Sequence, residues 1–241
     1  MRALHTFLSR PAIAAAAVAV LLGGTSLAHA AGPMIDWDPA YVWQTGGTPT
    51  NLPVGGELKV VGIISRFDNP LGDLNANDPS KEYTFYIHGM ISQGTVASGP
   101  AAFTLYETHY TGGTIEIYED TTPEPATFAP NPPNATVPSY FTDGTLILAG
   151  NMSNMTVQTN NFTPLKTGNI EGDILWTGGT LLTRTYGAGT TKCPGLFTGG
   201  ATWNSSVVPQ GYLFRHAGKI DLQCAVAAKG STWGRIKQLY R

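Results

Sequence analysis

The chain has 241 residues, with 14 Lys and Arg against 16 Asp and Glu, for a formal charge of −2. So balanced a chain, with only 12% charged residues, has no basic footprint for a phosphate backbone, which argues against nucleic acid as a partner. Its 29 Gly and 17 Pro favour short strands and tight turns over long helices.

Residues 1–30, MRALHTFLSRPAIAAAAVAVLLGGTSLAHA, read as a secretory signal peptide. Arg2 and Arg10 form a positive start, Ala12 to Leu22 a short apolar run, and Ala28-His29-Ala30 a small-x-small cleavage site. The run is short for a bilayer, which takes about 20 apolar residues; the competing reading is an uncleaved anchor. Removing two Arg and no acid moves the expected mature charge from −2 to −4. No later stretch reaches transmembrane length, so the sequence predicts a secreted, extracellular or cell-surface protein. Residues 31–228 form a single expected domain, and 229–241 a separate tail.

Turn signals recur along the domain: TGGT at Thr45, VGGE at Val54, TGGT at Thr111, TDGT at Thr142, TGGT at Thr177 and TGGA at Thr198. Strand-like runs lie between them: Glu57 to Phe67, Glu82 to Ser92, Ala102 to Tyr110, Thr114 to Asp120 and Gly144 to Met152. MTVQTNNF, GDILWTGG and GYLFRHAGKIDLQC complete the set. Short alternating runs with regular turn signals predict an all-β fold, an antiparallel β-sandwich or jelly roll. Thr121 to Pro138 holds six prolines and is expected to be a surface loop rather than a central strand.

Two cysteines, Cys193 and Cys224, are expected to pair in an exported chain. Closing a loop of this size stabilises by roughly 3 kcal/mol in the chain-entropy model. The chain finishes on KGSTWGRIKQLYR, a basic aromatic tail carrying Trp233, Arg235, Lys237 and Arg241. Trp233, Ile236 and Tyr240 fall on one helical stripe, so a short C-terminal helix is expected. So short a helix is marginal alone and needs a surface to dock on.

Three groups of residues are candidates for chemistry. Asp73, Asn75 and Asn77, with Asp68 nearby, resemble the opening of an oxygen-rich calcium loop. The motif then fails, with Asp78 where Gly is needed and Thr84 where Glu is needed; the plainer reading is a turn whose side chains cap their own backbone. The second group comes from placing hairpins at the Thr111 TGGT and near Ala97. His88 then opposes Glu107 and His109 opposes Glu116, so the four share one face, with Thr108, Tyr110, Ile115 and Ile117 on the other. Two His and two Glu suit zinc, but a one-residue slip dissolves the set, and the plainer reading is a solvated outer face. Trp37, Tyr41 and Trp43 form the third group, able to stack on sugars if exposed and otherwise ordinary core. No G-x-S-x-G or H-E-x-x-H occurs, and no Cys–His arrangement survives the disulfide.

The stretches PPNATVPSYFTDGTLILAGNMSN, GNIEGDILWTGGTLL, DPSKEYTFYIHGMISQGT and GGTIEIYEDTTP resemble a group of uncharacterised secreted all-β proteins of bacteria. That resemblance implies a secreted β domain and carries no catalytic residues. STWGRIKQLYR looks like a tail found after extracellular modules in some bacteria, which implies a sorting or surface-attachment signal.

The sequence thus points to a secreted or cell-surface protein with a structural or binding role. Its expected partners are a cell-surface glycan or export and anchoring machinery. The alternatives are an extracellular carbohydrate-active or metal-dependent hydrolase, and a self-assembling surface or filament subunit, since the edge strands of a sandwich must be covered.

Overall fold

Among the residues described by a computed structural model, nine strands form one antiparallel sheet: β1 (Ile35–Gln44), β2 (Glu57–Phe67), β3 (Glu82–Ser98), β4 (Leu105–Thr111), β5 (Thr114–Asp120), β6 (Thr145–Asn160), β7 (Thr167–Gly178), β8 (Gly195–Thr202) and β9 (Phe214–Leu222). The structure describes residues 33–123, 128, 138–162, 166–187, 190–204 and 206–224. The signal segment and the tail with Trp233, Arg235, Lys237 and Arg241 lie outside them, so the expected C-terminal helix does too.

The sheet closes on itself. Strand order runs β2-β1-β9-β8-β7-β6-β4-β3, and β3 pairs back to β2. β4 and β5 both lie between β3 and β6, each antiparallel to both. They are therefore one strand position with a break at Gly112-Gly113, and nine strands fill an eight-position barrel. The expected sandwich or jelly roll is corrected to a barrel, and every described strand has a neighbour on each side. The edge strands that motivated the self-assembly reading are absent from this set.

Glycine explains both the closure and the misread turn. The Thr111 TGGT does not make a hairpin: Gly112 and Gly113 take φ values of 70° and 100° within a continuous run. A Cβ on Gly113 would lie 2.0 Å from Met90 Sδ. On the facing strand Gly89 also has positive φ, at 72°. Bends of this kind let long strands such as β3 and β6 coil into a closed sheet. The TGGA at Thr198 likewise lies inside β8 rather than in a turn.

Alternation then sorts the side chains. Trp37, Val42, Leu58, Val60, Phe85, Ile87, Tyr110, Ile115, Ile117, Val157, Ile170, Ile174, Trp176, Phe197, Phe214 and Ile220 fill the interior. Leu52 from the β1–β2 connection and Leu71 from the β2–β3 connection join that core. Charged residues such as Asp36, Arg66, Glu107, Glu171 and Lys219 stand outside. That pattern is the inverse of a lipid-facing barrel, which is apolar outside and polar within. Among the described residues no helix is long and apolar enough to cross a membrane.

A second, smaller cluster lies on the outer face of β1–β3, where Tyr41, Val61 and Tyr86 pack with Tyr212 and Phe141. Phe141 belongs to the one-turn helix α1 (Ser139–Thr142), and its carbonyl accepts a bond from Thr84 Oγ1 at 3.0 Å. Phe128, from the proline-rich connection, packs against Tyr41 and Phe141. Phe128 and Phe141 thus cover part of one wall of the barrel. Cys193 and Cys224 form the expected disulfide, which ties the approach to β8 to the residues after β9.

Candidate binding site on the outer face

The three sequence candidates fare differently. Trp37 is 2% exposed inside the barrel and offers no platform to a sugar. Tyr41 belongs to the outer cluster beneath Phe128, and Trp43 is partly covered, with the Lys59 ammonium 5.7 Å from its ring. The aromatic trio therefore splits between core and wall.

In the 68–81 connection the oxygens already have partners. Asp73 is ion-paired with Arg184, and the guanidinium holds its carboxyl below the usual range. Asn75 Oδ1 accepts from the Asn77 amide at 3.0 Å, and Asp78 Oδ1 accepts from the Ser80 amide at 2.9 Å. Asp68 pairs with Arg66 at 3.1 Å. This is the arrangement of Asx turns on a solvated loop.

His88, Glu107, His109 and Glu116 do share the outer face, with Thr108, Tyr110, Ile115 and Ile117 buried behind them. The register differs from the expected one. His88 faces Thr114 rather than Glu107, and Glu107 faces Val96 and Gln158. The Gly112-Gly113 break divides the four into two pairs: His88 Nε2 lies 3.6 Å from Glu116, and His109 Nε2 lies 2.8 Å from Glu107. Among the described residues no group of three or more His, Cys, Asp or Glu converges as a metal ion requires.

The second pair is part of something larger. Glu107 Oε2 accepts from Gln158 Nε2 at 2.6 Å, and His109 Nδ1 lies 3.1 Å from Thr156 Oγ1. Gln158 and Thr156 are on β6, directly opposite Glu107 and His109. On β7, Asn169 and Glu171 are opposite Gln158 and Thr156 in turn. Asn154 adds an amide that donates to Asp173 Oδ2 at 2.7 Å. These side chains line a shallow polar depression of about 230 Å³. It adjoins a second one over Gly200, Ala217 and the Asp38–Arg215 ion pair, because Asn169 faces Gly200 in the ladder. The small residues of β8 and β9 leave the surface low there, and beside it the polar depression forms an open channel over β4, β6 and β7.

Thr156, Gln158, Asn169 and Glu171 escaped the sequence reading. Their signal was the polar half of the alternation in MTVQTNNF and GNIEGDI, which is also the signal of any solvated strand face. Cross-strand register alone distinguishes the two.

No family model matches the chain, and no curated protein or solved structure matches it at a significant level.

Proposed function

We propose that this protein is an exported bacterial binding protein that takes a hydroxyl-rich polymer, a cell-surface glycan, along the outer-face channel. The observation that carries this reading is the linked run Gln158–Glu107–His109–Thr156, beside Asn169 and Glu171. Carboxylate, carboxamide, imidazole and hydroxyl groups, fixed by one another on rigid strands, match the donors and acceptors of sugar hydroxyls. An open channel suits an extended chain better than a small molecule, which wants a deep pocket. Export rests on the signal segment, the likeness to secreted β proteins on PPNATVPSYFTDGTLILAGNMSN and its companion stretches, and the anchoring role of the tail on STWGRIKQLYR. Calorimetric titration with bacterial envelope polysaccharides tests the channel. Glu107→Gln and Glu171→Gln are each expected to weaken binding at least tenfold, and Lys59→Ala, on the far wall, to leave it unchanged. Equal affinity in all four proteins would sink the reading.

A second reading comes from the order of groups in the same channel. Glu107, His109 and Thr156 stand as carboxylate, imidazole and hydroxyl in sequence, the arrangement that activates a hydroxyl nucleophile. Hydrolysis of chromogenic esters that disappears in both His109→Ala and Thr156→Ala would favour a hydrolase; no turnover, or turnover unchanged in both, would dismiss it.

A further inference from the structure

The barrel carries its charge unequally along its axis. One end is made by the connections β1–β2, β3–β4, β6–β7 and β8–β9, residues 45–56, 99–104, 161–166 and 203–213. These four sequences contain one charged residue, Lys166. The connections at the other end hold, among the described residues, Asp68, Asp73, Asp78, Lys81, Asp143, Arg184 and Lys192.

Apolar exposure has the opposite distribution. Val54 is 76% exposed and Phe103 63%, and Phe162 and Val207 are exposed as well. Among the described residues, each of the four connections at the uncharged end therefore presents a large apolar side chain to solvent. Val96 and Leu105, exposed at the adjoining strand ends, extend the same zone. Phe103 and Phe162 stack with ring centroids 5.5 Å apart. At the margin, Lys166 Nζ lies 5.0 Å from the centroid of the Trp203 ring, and Pro49, Trp203, Val208 and Pro209 line an apolar depression. Exposed apolar groups concentrated in this way mark an interaction surface.

We propose that this uncharged end seats the protein on a lipid surface, with Val54, Phe103, Phe162 and Val207 entering the headgroup boundary. Three observations favour lipid over a protein partner. The apolar groups come from each of the four connections around one barrel mouth, so they can enter a boundary together. Charge is segregated between the two ends, as a boundary between two media requires. At the margin Lys166, the one charged residue of these connections, lies over the half-buried Trp203 ring, where its ammonium can meet headgroup phosphates. Burial of apolar groups supplies the attraction, so binding does not need anionic lipid and resists salt.

The test is sedimentation of the full mature chain with phosphatidylcholine/phosphatidylethanolamine vesicles, with and without phosphatidylglycerol. Binding is expected to both, and to persist in high salt. The pair Phe103→Ser and Phe162→Ser is expected to lower the bound fraction at least tenfold. Val54→Asp alters the most exposed of these side chains and serves as a second probe should the double variant misfold. A chain ending at Lys229 is expected to bind as the full chain does. Four results overturn the proposal: no vesicle binding; binding unchanged by Val54→Asp and the double Ser variant; loss of binding in salt or on removal of the tail, which assigns it to the basic segment; or a dimer by light scattering that the Ser variants dissolve without any vesicle binding, which assigns this end to a second copy.

Discussion

Trp37 Nε1 donates a hydrogen bond to His216 Nδ1 across 3.1 Å, joining β1 to β9 inside the barrel between residues 179 positions apart. The bond sets the tautomer: Nδ1 accepts, so the ring proton is on Nε2. Nε2 has no well-aligned acceptor and lies against Gly199. Phe197 stacks on the imidazole at 5.3 Å. Protonating Nδ1 would break the bond from Trp37 and leave a charge among aromatic rings.

Acid stability should report this pair. Burial pulls His216 down to about 4 from an ordinary 6.5, and the Gly199 backbone offsets this only in part. Below pH 6.5 the unfolded chain takes up a proton that the folded chain refuses until about pH 4. The stabilisation is therefore complete above pH 6.5 and is lost as pH falls through that window, by about 3 kcal/mol in all. Urea unfolding at several pH values across the window should show this slope in the native chain and a shallower one in His216→Gln. Parallel slopes would mean that carboxylates alone drive the acid response.

Neighbouring glycines of β8 should respond in opposite ways to the same substitution. A Cβ on Gly199 would lie 2.3 Å from the Ala217 carbonyl and 2.5 Å from His216 Nε2, whereas one on Gly200 would meet nothing within 4 Å. Gly199→Ala should cost about 2 kcal/mol or more through overpacking beside the Trp37–His216 pair. Gly200→Ala, on the outer face, should change stability by less than about 0.5 kcal/mol. Thermal melts of the two single variants decide it, and similar losses would show that β8 does not have this inside and outside.

The disulfide closes a loop with a sequence separation of 31. Replacing both cysteines by Ala should cost about 3 kcal/mol and show first as faster amide exchange at the end of β9. Non-reducing peptide mapping that finds free thiols would remove the link altogether.

Calcium should do little to this fold. Asp73 is held by Arg184, and Asp78 by its own turn, so chelator and added calcium are expected to give the same Tm. A rise of several degrees with calcium would show that the loop releases Arg184 to admit a cation. Arg184→Ala should then accentuate the rise.

The residues of this chain carry their periodicity openly, and the features that depend on periodicity alone are legible in it. Glu57–Phe67 and Thr114–Asp120 are strands at the expected bounds. The alternation His88/Glu107/His109/Glu116 outside and Thr108/Tyr110/Ile115/Ile117 inside also holds, because side-chain direction depends only on local pleat. The cysteine pair was legible from the count of two in a chain expected to be exported. β1 and β8 were not, since Pro39 interrupts the first, after a cis bond, and Gly199-Gly200 the second. Local chemistry reads such residues as turns, and only packing shows that Gly199 makes room for His216.

Register, closure and neighbourhood belong to the tertiary structure. A TGG segment serves equally as a turn or as a bend in a running strand; what decides it at Thr111 is the pairing of both β4 and β5 with β3 and β6. The difference moves Glu107 from His88 to Gln158, and it turns a supposed four-ligand cluster into one member of a channel across β4, β6 and β7. By itself the sequence determined which side chains point out and which point in, through a rule spanning two residues. Which outward side chains meet was decided only when strands such as β4 and β6 paired, bringing Glu107 to Gln158 across 51 residues of sequence, since cross-strand contact depends on pairings that no local pattern encodes.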